Sequence, residues 1–424
     1  MSDYNEMWKG LGLDMERHDQ LLNALGAIYS DVYMGQKDRP KGMEYFDFVM
    51  SEVHGLRIKE LLDHKEKGGK IVGTFCLYVP DEIILAGGGV GVGLCGGAQF
   101  SVPDAEAVLP RNLCPLIKSA FGFKLAKICP YFEAADFVIG ETTCDGKKKV
   151  WELLNNHIPT YVMEIPNMKR EMDKALWFNE VKAFMEKMEK EAGVKITPEA
   201  LEEKIKLVNE KRKAIQRVFD TRKANPVPIS GKDALLISQI AFYDNPERFT
   251  TKVNELADEL EERNKKGEGV FDEKRPRILV SGCPMAIPNW KLHNVIEDSG
   301  GVVVCEESCV GTRYFTHSVE EERPTLEDKV KAVAERYLKI NCSCFSPNEE
   351  RTNDILRYVK DYNASGVIHY TLQFCHTYNV EFVRVKEALK KANVPVLEIE
   401  TDYSEGDVGQ LKTRVEAFVE QVSQ

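Results

Sequence analysis

Phe137-Val138-Ile139-Gly140-Glu141-Thr142-Thr143-Cys144, followed by a helical stretch, Ile158-Pro159 and Tyr161-Val162-Met163-Glu164-Ile165, has a counterpart near the other end of the chain. There Gly366-Val367-Ile368 runs towards Cys375, then a helical stretch, then Val394-Pro395 and Val396-Leu397-Glu398-Ile399-Glu400. Each unit reads as strand, cysteine, helix, strand. Short Val- and Ile-rich runs bounded by turn residues form strands, and strands alternating with helical patterns of about ten to fifteen residues pair in parallel. The expected fold is therefore α/β, with two similar Rossmann-like parallel-sheet domains and additional helical segments.

Outward from these units, the strand candidates of the first half are Lys70 to Val79, Ile83 to Gly87, Phe137 to Thr142 and Thr160 to Ile165. Those of the second half are Arg277 to Ser281, Val302 to Cys305, Gly366 to Leu372 and Pro395 to Thr401. Between them, Met168 to Lys266 has helical periodicity only, with Pro198 just inside one helix start and Ser230 as the N-cap of another. Gly267 to Pro276 is polar and punctuated by Gly and Pro, a linker. The expected organisation is a helical segment over 1–69, a first α/β domain over 70–167, a helical region and linker over 168–275, and a second α/β domain over 276–424.

A chain of 424 residues is longer than one hydrophobic core sustains, so several domains are expected. Its net charge of −11 argues against nucleic acid or an anionic membrane as the main partner. The N-terminus carries Asp3, Glu6 and Lys9 and no apolar core, so it does not read as a secretion signal, and no run of about twenty apolar residues occurs. A cytoplasmic protein is expected, and in the cytosol thiols stay reduced. Eleven cysteines then need an explanation other than disulfides.

In open parallel sheets, ligands bind outside the carboxyl ends of the strands. Cys144 and Cys375 both follow a strand and precede a helix, where the macrodipole favours the thiolate, the form that binds metal. Cys114, Cys129 and Cys144, each fifteen residues after the last, have polar, Pro or Gly neighbours, as do Cys309, the pair Cys342 and Cys344, and Cys375. Cys76, Cys283 and Cys305 read instead as small apolar filler. Structural zinc shows close ligand pairs twice over, and only Cys342-Ser343-Cys344 comes near that pattern. Dispersed single thiolates suit a cluster wedged between domains.

Three separated motifs carry a resemblance. Arg111-Asn112-Leu113-Cys114-Pro115-Leu116-Ile117-Lys118-Ser119, Cys129-Pro130-Tyr131-Phe132-Glu133-Ala134 and Gly140-Glu141-Thr142-Thr143-Cys144-Asp145-Gly146-Lys147-Lys148 resemble the 2-hydroxyacyl-CoA dehydratase and benzoyl-CoA reductase family, and most closely its double-cubane-cluster branch. Ser281-Gly282-Cys283-Pro284-Met285, Phe374-Cys375-His376-Thr377-Tyr378-Asn379 and Glu400-Thr401-Asp402-Tyr403-Ser404 extend it, so that it spans about Lys70 to Gln424. The resemblance implies an iron–sulfur group of two 4Fe-4S-like cubanes joined by a sulfide and held by six cysteines. Cys114, Cys144 and Cys375 match the ligands shared by the wider family. Cys129, Cys309 and one of Cys342 or Cys344, with Cys342 preferred, form the additional set. It further implies a homodimeric low-potential reductase acting on a small-molecule substrate. Electrons would come singly from a separate activator ATPase that carries its own 4Fe-4S cluster. The chain has no Gly-x-x-x-x-Gly-Lys-Ser/Thr loop, so ATP belongs to the partner only. His376, Lys118 and Glu141 are the candidate catalytic proton donors, each equally able to serve as an ion-paired or capping residue.

Three other readings compete. One is a subunit of an acyl-CoA dehydratase with a single cubane, which needs only three thiolates. A dinucleotide dehydrogenase is hinted at by Gly91-x-Gly93-x-x-Gly96, although no good helix pattern follows those glycines. A metal-storage or scaffold protein is the third.

Overall fold

The computed structural model describes residues 4–423. Residues 1–3, with the Asp3 of the N-terminal reading, and 424 lie outside the described residues, as do the corresponding ends of the segments 1–69 and 276–424.

Two four-stranded, all-parallel sheets form the frame. The first holds β1 (Lys70–Thr74), β2 (Gly89–Gly93), β3 (Phe137–Glu141) and β4 (Thr160–Met163) in the order β2-β1-β3-β4. The second holds β5 (Arg277–Gly282), β6 (Val302–Glu307), β7 (Gly366–Leu372) and β8 (Val396–Thr401) in the order β6-β5-β7-β8. The same order in both sheets is the repeat seen in the sequence, now as topology. Every residue of β3, β5, β6 and β7 is buried, as continuous apolar runs covered on both faces require. The edge strands β4 and β8 keep exposed positions at Val162, Glu398 and Glu400.

The first half departs from expectation at one strand. Ile83 to Gly87 is not a strand but most of the helix Asp81–Ala86, entered from Pro80 with Asp81 and Glu82 in its first turn. Acids favoured by the dipole and a preceding proline are start signals that outweigh a four-residue apolar run. The strand is instead Gly89–Gly93, and Lys70–Val79 is shortened to end at Thr74. The glycines of this strand pack closely: a Cβ on Gly89 would sit 3.1 Å from Ile84, and one on Gly93 3.0 Å from Phe242. The backbone lies flush on its covering elements, and Val92 fills the opposite face. The glycine run is therefore an edge strand leading to a loop, and the next α-helix, Val102–Glu106, is only five residues long. No helix N-terminus stands ready for a pyrophosphate, as the dinucleotide reading needs.

The central region folds as four helices, Glu171–Ala192, Pro198–Thr221, Gly231–Ile240 and Pro246–Lys266. Pro198 occupies the first turn behind the Thr197 cap, and the Ser230 side chain accepts from the Asp233 N–H, as their positions predict. Gly231–Ile240 is buried on every side. Its Gln239 donates to the Met285 carbonyl at 2.6 Å and accepts from Trp290 Nε1 at 2.7 Å, which ties the helix to the loop after β5. Opposite, a Cβ on Gly97 would meet the Ala286 carbonyl oxygen at 2.1 Å, so only glycine lets the two halves approach there. Among the described residues, no helix is long and apolar enough to cross a membrane.

A thiol-lined cavity as the candidate functional site

Eight of the eleven cysteines line one cavity of about 280 Å³ where the two halves face each other. Each half contributes four, in corresponding places. Cys76 and Cys283 follow β1 and β5, Cys95 and Cys309 follow β2 and β6, and Cys144 and Cys375 follow β3 and β7. Cys114 lies between β2 and β3 as Cys342 lies between β6 and β7. The carboxyl ends of three successive strands thus deliver sulfur in both halves, the crevice position that open parallel sheets reserve for ligands.

Local structure fixes the thiols. Cys114, Cys144 and Cys375 are the N-cap residues of Pro115–Leu125, Asp145–Leu154 and His376–Lys391. The Lys147 N–H donates to Cys144 Sγ at 3.5 Å. Before Cys375, Phe374 sits at φ +61°, an uncommon region for a bulky residue, and the Cys375 N–H bonds the Leu372 carbonyl at 3.0 Å.

The sulfurs fall into two groups, each drawn from both halves. Cys114 and Cys283 lie within hydrogen-bonding reach of Cys375, and Cys144 stands near it. Those two bonds, Cys114 first, hold the Cys375 thiol well below its ordinary value. In the second group, Cys344 hydrogen-bonds Cys342 and, with help from the Arg313 charge, brings Cys342 down to about 6. Cys309 and Cys76 adjoin this pair. Each group therefore contains one sulfur poised as thiolate.

Two cations attend the cavity, Arg313 buried and Lys147 half-buried. Lys147 lines it, ion-paired with Glu141 and reaching the Phe75 carbonyl at 3.4 Å. Arg313 donates to Glu307 Oε1 at 2.6 Å and to Tyr378 Oη, and its Nη1 lies 3.9 Å from Cys309 Sγ. Glu307 is also held by Arg351 at 3.1 Å and Ser281 at 2.7 Å. Tyr378 Oη is in turn 4.0 Å from Cys342 Sγ.

Of the sequence-predicted residues, Cys114, Cys144, Cys309, Cys342 and Cys375 come together in this cavity, and His376 stands exposed at its wall. Cys344 stays within reach of Cys342 without lining it. Cys129 does not join them, because it caps Pro130–Ala134 and faces a neighbouring cavity. Lys118 and Glu141 do not line the sulfur cavity either. Lys118 donates to Glu106 at 2.7 Å and to the Arg111 carbonyl at 2.9 Å, anchoring the loop that carries Cys114. Glu141 is held by Lys147. Cys305 is buried in a separate apolar cluster, as a filler should be, whereas Cys76 and Cys283, read as fillers, line the cavity. The missed signal was the repeated offset of a cysteine from each strand end.

Burial pushes Cys76, Cys95, Cys144, Cys283 and Cys309 above the ordinary thiol value, and the bond to Cys375, then burial, does the same for Cys114; Cys309 reaches about 11 and Cys95 about 12. A thiol whose pKa is higher folded than unfolded contributes stability below about 8.5, the unfolded value, and loses it as pH rises through the folded one. Metal-free protein is therefore expected to lose stability steadily between about pH 8.5 and pH 11. Urea midpoints measured across that range would check this, and a flat profile would contradict it.

Two parallel sheets facing each other across a cavity walled by cysteine define a class of α/β protein that concentrates thiolate donors between its halves. The chain belongs to the 2-hydroxyacyl-CoA dehydratase and benzoyl-CoA reductase family: the family's sequence profile, described as 2-hydroxyglutaryl-CoA dehydratase, D-component, matches residues 76–422. Among its relatives is the putative dehydratase subunit YjiM of Escherichia coli (strain K12), 39% identical over 87% of this chain and 96% of the relative. The (R)-phenyllactyl-CoA dehydratase beta subunit of Clostridium sporogenes is 25% identical over 85% of this chain and 94% of its own length. A benzoyl-CoA reductase subunit of Thauera aromatica is 22% identical over 83% and 91%.

Proposed function

We propose that this chain is a low-potential reductase of the double-cubane branch of its family. Its thiol-lined cavity would hold two 4Fe-4S-like cubanes joined by a sulfide. The observation that carries the reading is the gathering of eight cysteines from both halves around one cavity. Cysteine is the commonest metal-ligating residue type on the cavity wall, eight against one Asp and one His, and thiolate is the donor of iron–sulfur chemistry.

Cys114, Cys144 and Cys375 would hold one cubane, and Cys76, Cys309 and Cys342 the other. Cys76 takes the place first given to Cys129 because it shares the cavity with Cys309 and Cys342. When bound, such a group supplies single electrons at low potential. The chain's own residues would orient and screen it: helix N-termini attend the first set, Arg313 and Tyr378 the second, and the Lys147 charge acts on Cys144 of the first and on Cys76 and Cys309 of the second. Electrons would be delivered by a separate activator ATPase with its own 4Fe-4S cluster, and the substrate would be a small molecule. The acid balance and eleven free thiols fit a cytoplasmic protein that binds neither nucleic acid nor membrane, and the family resemblance adds a homodimer.

A second reading, a dehydratase subunit with a single cubane, is favoured by the relatives' names and needs only three thiolates. Anaerobic purification with iron and sulfide counting tests both. Roughly eight irons per chain supports two cubanes and roughly four supports the dehydratase subunit, while none would sink both.

A further inference from the structure

His18 and His54 lie edge to edge in the N-terminal helical segment. Their rings are within 15° of parallel, and His18 Nε2 stands 3.0 Å from His54 Nδ1. The backbone behind them is pinned, since Trp8 Nε1 donates to the His54 carbonyl and Tyr131 Oη to that of Val53, both at 2.7 Å. Burial brings His18 down to about 4 and His54 to about 3, so both imidazoles are neutral at pH 7 and each carries one N–H.

One proton lies between the rings, and its owner decides what the outer nitrogens can do. If His18 holds it on Nε2, His18 Nδ1 is a bare lone pair and His54 carries its own proton on Nε2. If His54 holds it on Nδ1, the His18 proton moves to Nδ1. His18 is fully buried, and its Nδ1 has no hydrogen-bond partner. Orphaned buried N–H groups are rarer than under-used acceptors, so the first arrangement prevails and His54 Nε2–H is a donor.

That donor meets open space. His54 is half-buried and lines a cavity of about 500 Å³, within the size range of small-molecule sites. Its Nδ1 edge is taken by His18, while Nε2 has no partner among the described residues and is not sealed off from solvent. Leu21, Leu25 and Ile28, on one face of the helix Met15–Tyr29, stand with Phe100, Phe123 and Trp290 in a mainly apolar wall. Asn289, Asn294 and Lys291, also on the wall, are already engaged by Tyr370, Lys232 and Asp407. The exposed Asp31 and Glu405 at the rim disfavour an anion. Gly93, Cys95, Tyr243 and Ile287 line both this cavity and the thiol-lined one, so the two share a wall.

We propose that this cavity binds a small, uncharged, largely apolar compound with one hydrogen-bond acceptor, of the carbonyl or nitrile class, which accepts from His54 Nε2. Calling that compound the reductase substrate rests on the function proposed above; the binding does not.

Equilibrium dialysis of the anaerobically purified full chain against 4-phenyl-2-butanone and butylbenzene, which share a skeleton and differ in the ketone oxygen, tests the assignment. Wild-type protein is expected to bind both. His54→Leu should weaken the ketone about two- to tenfold, the value of one hydrogen bond, and leave butylbenzene unchanged, which also shows the chamber intact. Leu25→Trp, which narrows the chamber, should weaken both. Nitrogen-15 spectra of histidine-labelled protein, assigned through His54→Leu, should place the His54 proton on Nε2 and shift it with the ketone but not with butylbenzene. Failure of the wild type to bind either compound would overturn the proposal, as would an unchanged ratio between them in His54→Leu or undiminished binding in Leu25→Trp. Should His54→Leu bind neither, the wild-type spectra decide: an Nε2 resonance unmoved by the ketone overturns the assignment, and a shifted one upholds it. Iron counted in the same samples separates the two ideas, because iron-free protein that still discriminates through His54 would sink the reductase reading and leave the chamber standing.

Discussion

Cys375→Ser is expected to strip about half or more of the iron from the anaerobically purified chain, with a matching loss of sulfide and of reductase activity. Cys375 is the sulfur held furthest towards thiolate in its group, receiving hydrogen bonds from Cys114 and Cys283 and capping His376–Lys391. A serine hydroxyl keeps the shape of the side chain but titrates far above any working pH, so it cannot replace a thiolate donor to iron. The residue lies in a loop and is partly exposed, so folding itself should suffer by only about 1 kcal/mol or less. Cys76→Ser should cost iron in the same way, because Cys76 faces Cys309 and Cys342. Cys129→Ser and Cys305→Ser should keep the full complement, since the first faces the neighbouring cavity and the second lies in an apolar cluster. Iron loss in Cys129→Ser with retention in Cys76→Ser would restore the sequence-based ligand set and refute the one drawn from the cavity.

The contrast between Cys129 and Cys76 marks how far the residues spoke for themselves. Val- and Ile-rich strands covered on both faces, such as β3 and β7, announce themselves because their burial leaves no polar position to blur the pattern. The strand Gly89–Gly93 was hidden, since its glycines are set by atoms of Ile84, Met188 and Phe242 that lie elsewhere in the chain. Missing that strand also hid Cys95, whose relation to Cys309 emerges only when β2 and β6 are aligned. Cys129 looked like a ligand through its Pro and polar surroundings, which mark a helix start but not the direction in which it faces. Cys76 looked like filler because its neighbours Phe75 and Leu77 are apolar, although the chain has already left the sheet at Thr74. Local composition reports the kind of environment; which wall of which cavity a side chain meets is decided by the packing of the two halves. Arg313 carries no signal and Tyr378 shows only as part of the motif after β7, because their pairing spans 65 residues.

Arg313→Gln is expected to lower the reduction potential of the second half of the sulfur site by about 60 mV or more while leaving most of the iron in place. The guanidinium is buried, and its Nη1 stands 3.9 Å from Cys309 Sγ. A reduced iron–sulfur group carries one more negative charge than the oxidised one, so a fixed cation beside its ligands favours reduction. At the effective dielectric of protein sites, losing one such charge removes at least about 1.4 kcal/mol, tenfold in the one-electron equilibrium. The same change withdraws the positive field that helps hold Cys342 near 6 and that opposes the burial of Cys309, so both thiols should become harder to ionise. Stability falls less than for an orphaned buried charge, because Glu307 keeps Arg351 and Ser281; a loss of about 3 kcal/mol, the low end for a broken buried pair, is expected. Arg313→Lys separates charge from geometry: it should keep most of the potential while losing the fork that bonds Glu307 and Tyr378 together. Potentials read by electron paramagnetic resonance during redox titration decide the matter. A fully iron-loaded Arg313→Gln protein with wild-type potentials would show that the charge beside Cys309 acts on folding alone.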